Sequence, residues 1–377
     1  MKKLLMVTDL SFPGSAMASR LLAFIKLFYC LGYDVHLISG KSDELESGKI
    51  YKGTDFSYEI VNSNRSDRLM TYLGNENLIK AVDRYVSNNE VDFIFSTSLN
   101  ALYRKLLKLC RKKNIKLILE QCEWYDPSSF GMGERDIRYR RFNKNIKKYY
   151  KEADYIISIS RLLDNYYKGI GARSIRIPSI TDVISKPKNY DIDGEKIKLV
   201  FTGNTSNSKE LIVPVLEALN EYKEKIELHI YGSGMNGLRK HVNNDGLIDS
   251  LNDCLFVHGV IKQEEVEKVL LNCNYQIFIR PKRRSSDAGF PTKLCESMSV
   301  GTPCITNDTG DISLVLRDGK NGFIADGNDT AAVKRVFERM VNLDSDSYRQ
   351  MRMMARTDAQ SFFDYRNYLK DVEEFLK

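Results

Sequence analysis

The sequence predicts an α/β protein made of two Rossmann-like, doubly wound domains with parallel sheets. Three observations predict it. Short continuous apolar runs, typical of buried parallel strands, alternate with helical patterns along the chain. The alternation breaks between Pro178 and Lys196, where Pro, Ser, Asp, Lys and Gly follow one another without periodicity, as in a linker. The chain has 377 residues, more than one core ordinarily organises.

The elements follow in order. Lys3 to Thr8 is an apolar run closed by Asp9, and a loop from Ser11 to Arg20 leads into an amphipathic helix over about Ala18 to Leu31, ended by Gly32. Asp34 to Ser39 is the next strand, which completes a βαβ unit with a right-handed crossover. Further strands are expected at Phe93–Ser96, Lys116–Glu120 and Tyr155–Ser160, placing a first domain over 1–182 and a linker over 183–195. A second series begins with a strand at Lys198–Gly203 and a helix from Lys209 to Tyr222. Strands at Glu227–Gly232, Leu255–Val260, Tyr275–Arg280, Cys304–Thr306 and Asn321–Ala325 continue it, and helices run from about Asp329 to the end. The second domain is expected over 196–359. Two such domains imply a central cleft where strand C-termini and helix N-termini converge.

Composition excludes several classes. The net charge of +7 does not by itself announce nucleic acid. It is concentrated in residues 135–151, which hold eight basic residues and one acid with aromatics interleaved. That helix-compatible segment suits anionic lipid headgroups or an acidic substrate, and equally a solvated helix face with snorkelling lysines. The seven cysteines are scattered and form no close-spaced pair, so neither a disulfide framework nor a metal site is expected. His36, His229 and His258 fall within strands, where core packing is the usual role, and His241 lies on a polar helix. The strings Asp191/Asp193 and Asp344/Asp346 do not follow strands, so no divalent ion is expected over a diphosphate. No run of about 18 apolar residues occurs, so a cytoplasmic protein is expected, with peripheral contact at the inner face of the cell membrane through 135–151.

The most informative stretch runs from Asp287 to Pro303. It reads as a Gly-containing loop (Gly289, Phe290, Pro291) entering a short helix, with Thr292 and Lys293 in its first turn and Glu296 one turn later. A loop feeding a helix N-terminus offers free N–H groups and a positive dipole end to phosphate oxygens, and a carboxylate there suits a sugar diol. An ordinary loop–helix corner has the same pattern. Gly203 ends a strand shortly before Lys209, a flexible point charge able to reach a diphosphate. Gly232 and Gly234 end another strand, and Gly14 lies in the first βα loop; each is a place for close ligand approach or a plain turn. The loop at Gly14 lacks G-x-G-x-x-G, which counts against a nicotinamide or flavin enzyme. Glu120, Glu123 and Asp126, with Trp124 and Tyr125, follow a strand of the first domain and suit sugar recognition, or a loop anchored by a packed Trp.

Taken together, these residues resemble the retaining glycosyltransferases of GT-B architecture, specifically family 4. The resemblance is strongest over roughly 197–340: Phe201 to Gly203 then Lys209, Ile230 to Gly234, Val257 to Val260 followed by Glu264 and Glu265, Phe290 to Pro303, and Asp318 to Asp329. It implies that Glu296 holds the ribose hydroxyls of a UDP- or GDP-linked sugar and that Lys209 neutralises the diphosphate. The loop from Gly289 to Lys293 would wrap phosphates and sugar, and Gly14 would admit the donor. Gly203, Gly234, Phe290, Pro291 and Thr292 complete the donor set, and Glu120, Glu123 and Trp124 belong to the acceptor side. No cofactor is implied beyond the nucleotide sugar, and the C-terminal helix, about 360–377, would cross back to the first domain. Two departures stand out. The carboxylate expected eight residues before Glu296 is Ala288, with Asp287 adjacent as its substitute, and the basic residue expected after Gly203 is Asn204. Arg280, Lys282, Arg283 and Arg284 offer compensating charge. The expected activity is sugar transfer to a glycan or polyprenyl-lipid-linked acceptor in surface polysaccharide biosynthesis. The alternatives are a silent GT-B paralogue acting as a scaffold, and a sugar-nucleotide epimerase.

Overall fold

The computed structural model describes residues 2–13, 18–42, 45–63, 72–191, 194–205 and 209–377. They form two compact units: Met1–Thr181 with Ala288–Phe290 and Tyr365–Lys377, and Asp182–Asp287 with Pro291–Asp364. Each unit is a doubly wound α/β sheet.

In the first unit, β1 (Lys2–Ser11), β2 (Tyr33–Lys41), β3 (Ile50–Lys52), β4 (Phe56–Ile60), β5 (Phe93–Thr97), β6 (Lys116–Gln121), β7 (Tyr155–Ser158) and β8 (Ser174–Arg176) form one sheet. Its order is β3-β4-β2-β1-β5-β6-β7-β8, parallel throughout except for the antiparallel β3–β4 edge. Leu4 to Val7 of β1 are buried because helices cover both faces of the sheet, which is why the run reads as continuously apolar. The first helix, α1 (Ala18–Cys30), presents Phe24 and Phe28 to Phe95 at ring separations of 5.1 and 5.8 Å. Burying each such ring contributes roughly 2–3 kcal/mol. Gly32 takes the left-handed conformation that ends the helix, at φ +82°. The last helix, Leu369–Leu376, belongs to this unit: Phe375 packs edge-on against Tyr155 at 5.4 Å, and the Tyr155 hydroxyl donates to the Leu376 carbonyl at 3.2 Å.

Three strands escape the periodicity. β3 and β8 are short edge strands and β4 is the short strand next to β3, all with Lys, Ser, Tyr or Arg in place of an apolar run, and Ile50 of β3 is 68% exposed. An edge strand buries too little to require an apolar signature. The basic segment is also less regular than expected. Ile137–Lys144 is α-helical, Asn145–Tyr149 continues as a π-helical turn, and Tyr150–Glu152 closes it as a 3₁₀ turn.

In the second unit, β9 (Ile197–Thr202), β10 (Ile226–Tyr231), β11 (Leu255–Gly259), β12 (Tyr275–Ile277), β13 (Cys304–Asn307) and β14 (Gly322–Ala325) are all parallel, in the order β11-β10-β9-β12-β13-β14. Two local expectations need correction. The helix after β9 spans Val213–Tyr222 with Pro in its first turn, so Lys209 lies in the preceding turn and does not open the helix. Arg284–Ala288 is a short helix, so Asp287 and Ala288 end a helical turn rather than start a loop. β12 stops at Ile277, and beyond it Asn307 replaces the ladder: its side chain accepts from Arg280 N and donates to Arg280 O, both at 2.8 Å.

Candidate active site

In the second unit the loops at the ends of β9, β10 and β11 are tied together. Gly203 N donates to Tyr231 O at 2.6 Å and Gly232 N to Gly259 O at 2.7 Å, while Thr205 N donates to the Ser233 hydroxyl at 2.8 Å. A Cβ at Gly232 would lie 2.8 Å from the Gly203 carbonyl carbon and oxygen, so a side chain does not fit there. Gly234 caps the helix Met235–Val242, and a Cβ there would meet nothing within 4 Å, which leaves open space in front of its backbone. Asn204 and Lys209 are exposed beside these loops. Gly14 lies outside the described residues.

The helix Thr292–Met298 follows Pro291 as its N-cap. Lys293, in its first turn, places its ammonium 2.5 Å from Glu210 Oε1 and 5.7 Å from the Phe201 ring centroid. A Cβ on Gly203 would stand 3.0 Å from that ammonium, so the glycine supplies the space the cation occupies. One turn on, Glu296 Oε1 accepts from Gln263 Nε2 at 2.8 Å. Burial raises the Glu296 carboxyl above the ordinary range, against the opposing pull of Lys186, Lys293 and the Gln263 hydrogen bond. Gln263, the first residue of the helix Gln263–Leu271, carried no sequence signal; only the folded geometry puts it on Glu296.

Two expected residues are engaged elsewhere. Arg280 is buried, and its guanidinium donates to Ser286 O at 3.0 Å and to the Thr309 hydroxyl at 3.2 Å, so it pins the short helix Arg284–Ala288 instead of standing as a free phosphate ligand. Asp287 Oδ1 accepts from Gly310 N at 2.9 Å. The adjacent Ala288 is fully buried, as are Gly289 and Phe290, which belong to the first unit.

The first unit carries a pocket of about 320 Å³ at the ends of β1, β5 and β6, lined in part by Asp9, Thr97, Glu120, Glu123, Tyr125 and Phe130. Tyr125 and Phe130 meet edge-on at 5.7 Å and give the pocket an apolar wall. Arg138 also lines it, held by Asp136 through contacts of 2.9 and 2.6 Å, and this guanidinium holds the Asp136 carboxyl down at about 2. Glu120 is buried and its carboxylate is bound by Arg20 Nε at 2.5 Å; Arg20 also donates to the carbonyls of Ile177 and Pro178. Trp124 does not line the pocket. It is buried edge-on against Tyr166 at 4.6 Å, with its indole N–H on Asn143 Oδ1 at 3.2 Å, so Tyr125 takes the aromatic position assigned to it. Asp9 was legible in the sequence only as the acid that closes the first strand. Asp9 lines the pocket, and crowding of its carboxyl by the surrounding groups raises its pKa to about 6 by desolvation.

The histidines divide. His36 is buried and stacked on Tyr85 at 4.4 Å, as a core residue. His229 and His258 instead face outward on β10 and β11 and share a hydrogen bond of 2.9 Å, because an edge strand of this sheet leaves one face uncovered. Among the described residues no group of three His, Cys, Asp or Glu is placed to hold a metal ion, and no helix is long and apolar enough to cross a membrane.

Residues 182–358 match the family described as Glycosyl transferases group 1. An uncharacterized glycosyltransferase of Methanocaldococcus jannaschii is 24% identical over 252 residues, 63% of this chain and 61% of that protein. The amylovoran biosynthesis glycosyltransferase AmsK of Erwinia amylovora is 22% identical over 246 residues, 62% and 58% of the two chains. The chain thus spans about three fifths of the length of these curated relatives. Solved structures align along its whole length. Sucrose-phosphate synthase from Thermosynechococcus elongatus matches with a TM-score of 0.81 and 14% identity, covering 100% of this chain and 98% of its own. Anabaena HepE in complex with UDP and glucose matches at 0.72 and 15%, covering 100% and 99%. At these identities the likeness speaks for the fold. The chain has the GT-B fold, and the part of it that resembles the Glycosyl transferases group 1 family is residues 182–358, nearly all in the second unit.

Proposed function

We propose that this chain is a metal-independent, retaining glycosyltransferase of family 4 that moves a sugar from a nucleoside diphosphate to a glycan or lipid-linked acceptor. One observation carries the proposal: Lys293, seated against Gly203 in the first turn of its helix, and Glu296, held by Gln263 one turn later, form an adjacent cation and carboxylate. A diphosphate meets Lys293 and Lys209, and a ribose diol donates to Glu296. Asp287 stands beside the transferred sugar, with one carboxylate oxygen on Gly310 N. The presence of UDP in the HepE structure supports a UDP-linked donor.

In the transfer, the bond from the anomeric carbon to the phosphate oxygen breaks as the acceptor oxygen attacks from the same face. The acceptor proton passes to the departing phosphate, so no separate base is required. The acceptor sugar sits in the first-unit pocket, its apolar face on Tyr125 and Phe130 and its hydroxyls on Asp9 and Glu123. The likeness to AmsK supports a role in surface polysaccharide assembly, and the exposed Lys147 and Lys148 support contact with the inner face of the cell membrane.

A thermal-shift panel of UDP-, GDP-, ADP- and CMP-sugars tests the donor reading, since a true donor stabilises the folded state by mass action. One sugar nucleotide should raise the midpoint, and Glu296→Ala and Lys293→Ala should abolish the rise. A flat response to every compound would refute it. The buried Ala288 favours one competitor, a silent scaffold, which would show binding but no transfer with any acceptor.

A further inference from the structure

We propose that the groove beside the acceptor pocket is a phosphate-recognition subsite, so that the acceptor carries phosphate of its own. The proposal rests on the reading of the pocket at Asp9 as the acceptor site. The groove has a volume of about 490 Å³ and is lined by Arg104, Lys105, Lys108, Arg140, Arg141 and Lys144, with no carboxylate in its lining. The cations come from two elements. Ala101, Arg104, Lys105 and Lys108 repeat at helical spacing along the helix Tyr103–Lys113 and the turn before it, and Ile137, Arg140, Arg141 and Lys144 do so along the helix Ile137–Lys144. Stripes at this spacing on neighbouring helices ordinarily carry apolar residues that meet in a seam. Here they carry positive charge on both sides of an open groove.

The charges are only partly answered within the protein. Lys105 pairs with Glu76 at 2.5 Å, and Arg140 Nε donates to Glu134 O at 2.9 Å. Arg104, Lys108, Arg141 and Lys144 have no carboxylate partner among the described residues. Arg104 lies over the Tyr149 ring at 4.5 Å, and Lys144 approaches the same ring at 6.0 Å. Arg141 is half-buried, and burial pushes its pKa down with no anion opposing it. A bound phosphate oxygen would relieve this mutual repulsion and accept charge-assisted hydrogen bonds from several sides. The exposed Ile137 and the Tyr149 ring give the groove an apolar margin beside the charge.

The groove is also joined to the pocket. Asn100 lines both, and it is fixed from behind by Asn145, whose Nδ2 donates to Asn100 O at 2.8 Å from the first residue of the π-helical turn. A ligand whose sugar fills the pocket therefore places its next group in the cationic groove. A phosphodiester or diphosphate linked to a sugar has that form, whereas a neutral glycan leaves the cations without a partner.

Calorimetric titration of the full chain with geranyl diphosphate, a soluble isoprenoid diphosphate, tests the subsite. The triple change Arg104→Gln, Arg141→Gln and Lys144→Gln should weaken binding by at least about tenfold through loss of charge-assisted contacts. The double change Lys147→Gln and Lys148→Gln, outside the groove, should leave it within about twofold, because solvent screens those charges. Circular dichroism confirms that each variant is folded. Wild-type binding that the triple change does not alter overturns the proposal, as does no wild-type binding. A triple variant that binds geranyl diphosphate normally but releases vesicles of phosphatidylcholine and phosphatidylglycerol also overturns it, since the groove would then read a bilayer surface. The nucleotide-sugar thermal shift of the wild type reports the donor site independently, so failure of that site and failure of the groove are told apart.

Discussion

The Lys293 ammonium lies 2.5 Å from Glu210 Oε1, with Gly203 supplying the room beside it. The cation proposed to meet the donor diphosphate is thus already paired with a carboxylate of the same unit. Both side chains are largely buried, at 19% and 11% exposure, so solvent screens the pair only in part. The Glu210→Gln variant should bind the donor about fivefold more tightly, because about 1 kcal/mol of screened repulsion against the diphosphate is removed. Titration calorimetry with the nucleotide sugar identified by thermal shift measures this. Weaker binding by Glu210→Gln would show that the carboxylate orients Lys293 rather than competing with the ligand.

Gly232 and Gly234 separate packing from ligand approach. At Gly232, φ is +104° and a Cβ would meet the Gly203 backbone at 2.8 Å, so Gly232→Ala should cost about 2–4 kcal/mol of stability through strain and overpacking. Gly234 has φ −89° and open space before it, so Gly234→Ala should leave the melting temperature unchanged and weaken donor binding. A Gly234→Ala variant that binds donor normally would remove this backbone from the site.

Much of this frame was legible because its signals are local. β1 and β9 bury both faces, so their apolar runs stand out, and Lys293 and Glu296 sit at fixed spacing on one helix. What escaped depends on contacts distant in sequence. Gln263 meets Glu296 across 33 positions, and Arg20 meets Glu120 across 100. No pattern marks such pairs in a single sequence. Trp124 misled for a related reason: an aromatic beside carboxylates has the same spelling whether it lines a pocket or, as here, packs on Tyr166.

Glu120 lines the first-unit pocket while its carboxylate pairs with the buried Arg20 guanidinium. The Glu120→Gln variant would leave that charge uncompensated, at a cost of about 3–5 kcal/mol. Its melting temperature should fall markedly, whereas Glu123→Gln should leave stability close to wild type and raise the acceptor KM. Equal melting temperatures for wild type and Glu120→Gln would show that the Arg20 pair contributes little, and would return Glu120 to the acceptor-binding set.

Asp9 provides the pH test. Its carboxyl rises from 3.8 to about 6 in the folded protein because surrounding groups desolvate it. The folded state therefore holds the proton more tightly than the unfolded chain. The stabilising effect of that proton is complete below about pH 3.8 and is lost as pH rises through about 6. The Asp9→Asn variant, which carries no charge at either extreme, should thus melt above wild type at about pH 8, with the difference closing toward about pH 4. Catalysis should show the opposite demand. In the proposed reaction an ionised Asp9 accepts a hydrogen bond from an acceptor hydroxyl and so helps to bind the acceptor, and kcat/KM for transfer should therefore fall below about pH 6 in wild type. Asp9→Asn should raise the acceptor KM and flatten that limb of the profile. A melting-temperature difference that stays constant across this range would show that desolvation of Asp9 is not the cause. An unchanged acid limb in the variant would assign the titration to another group.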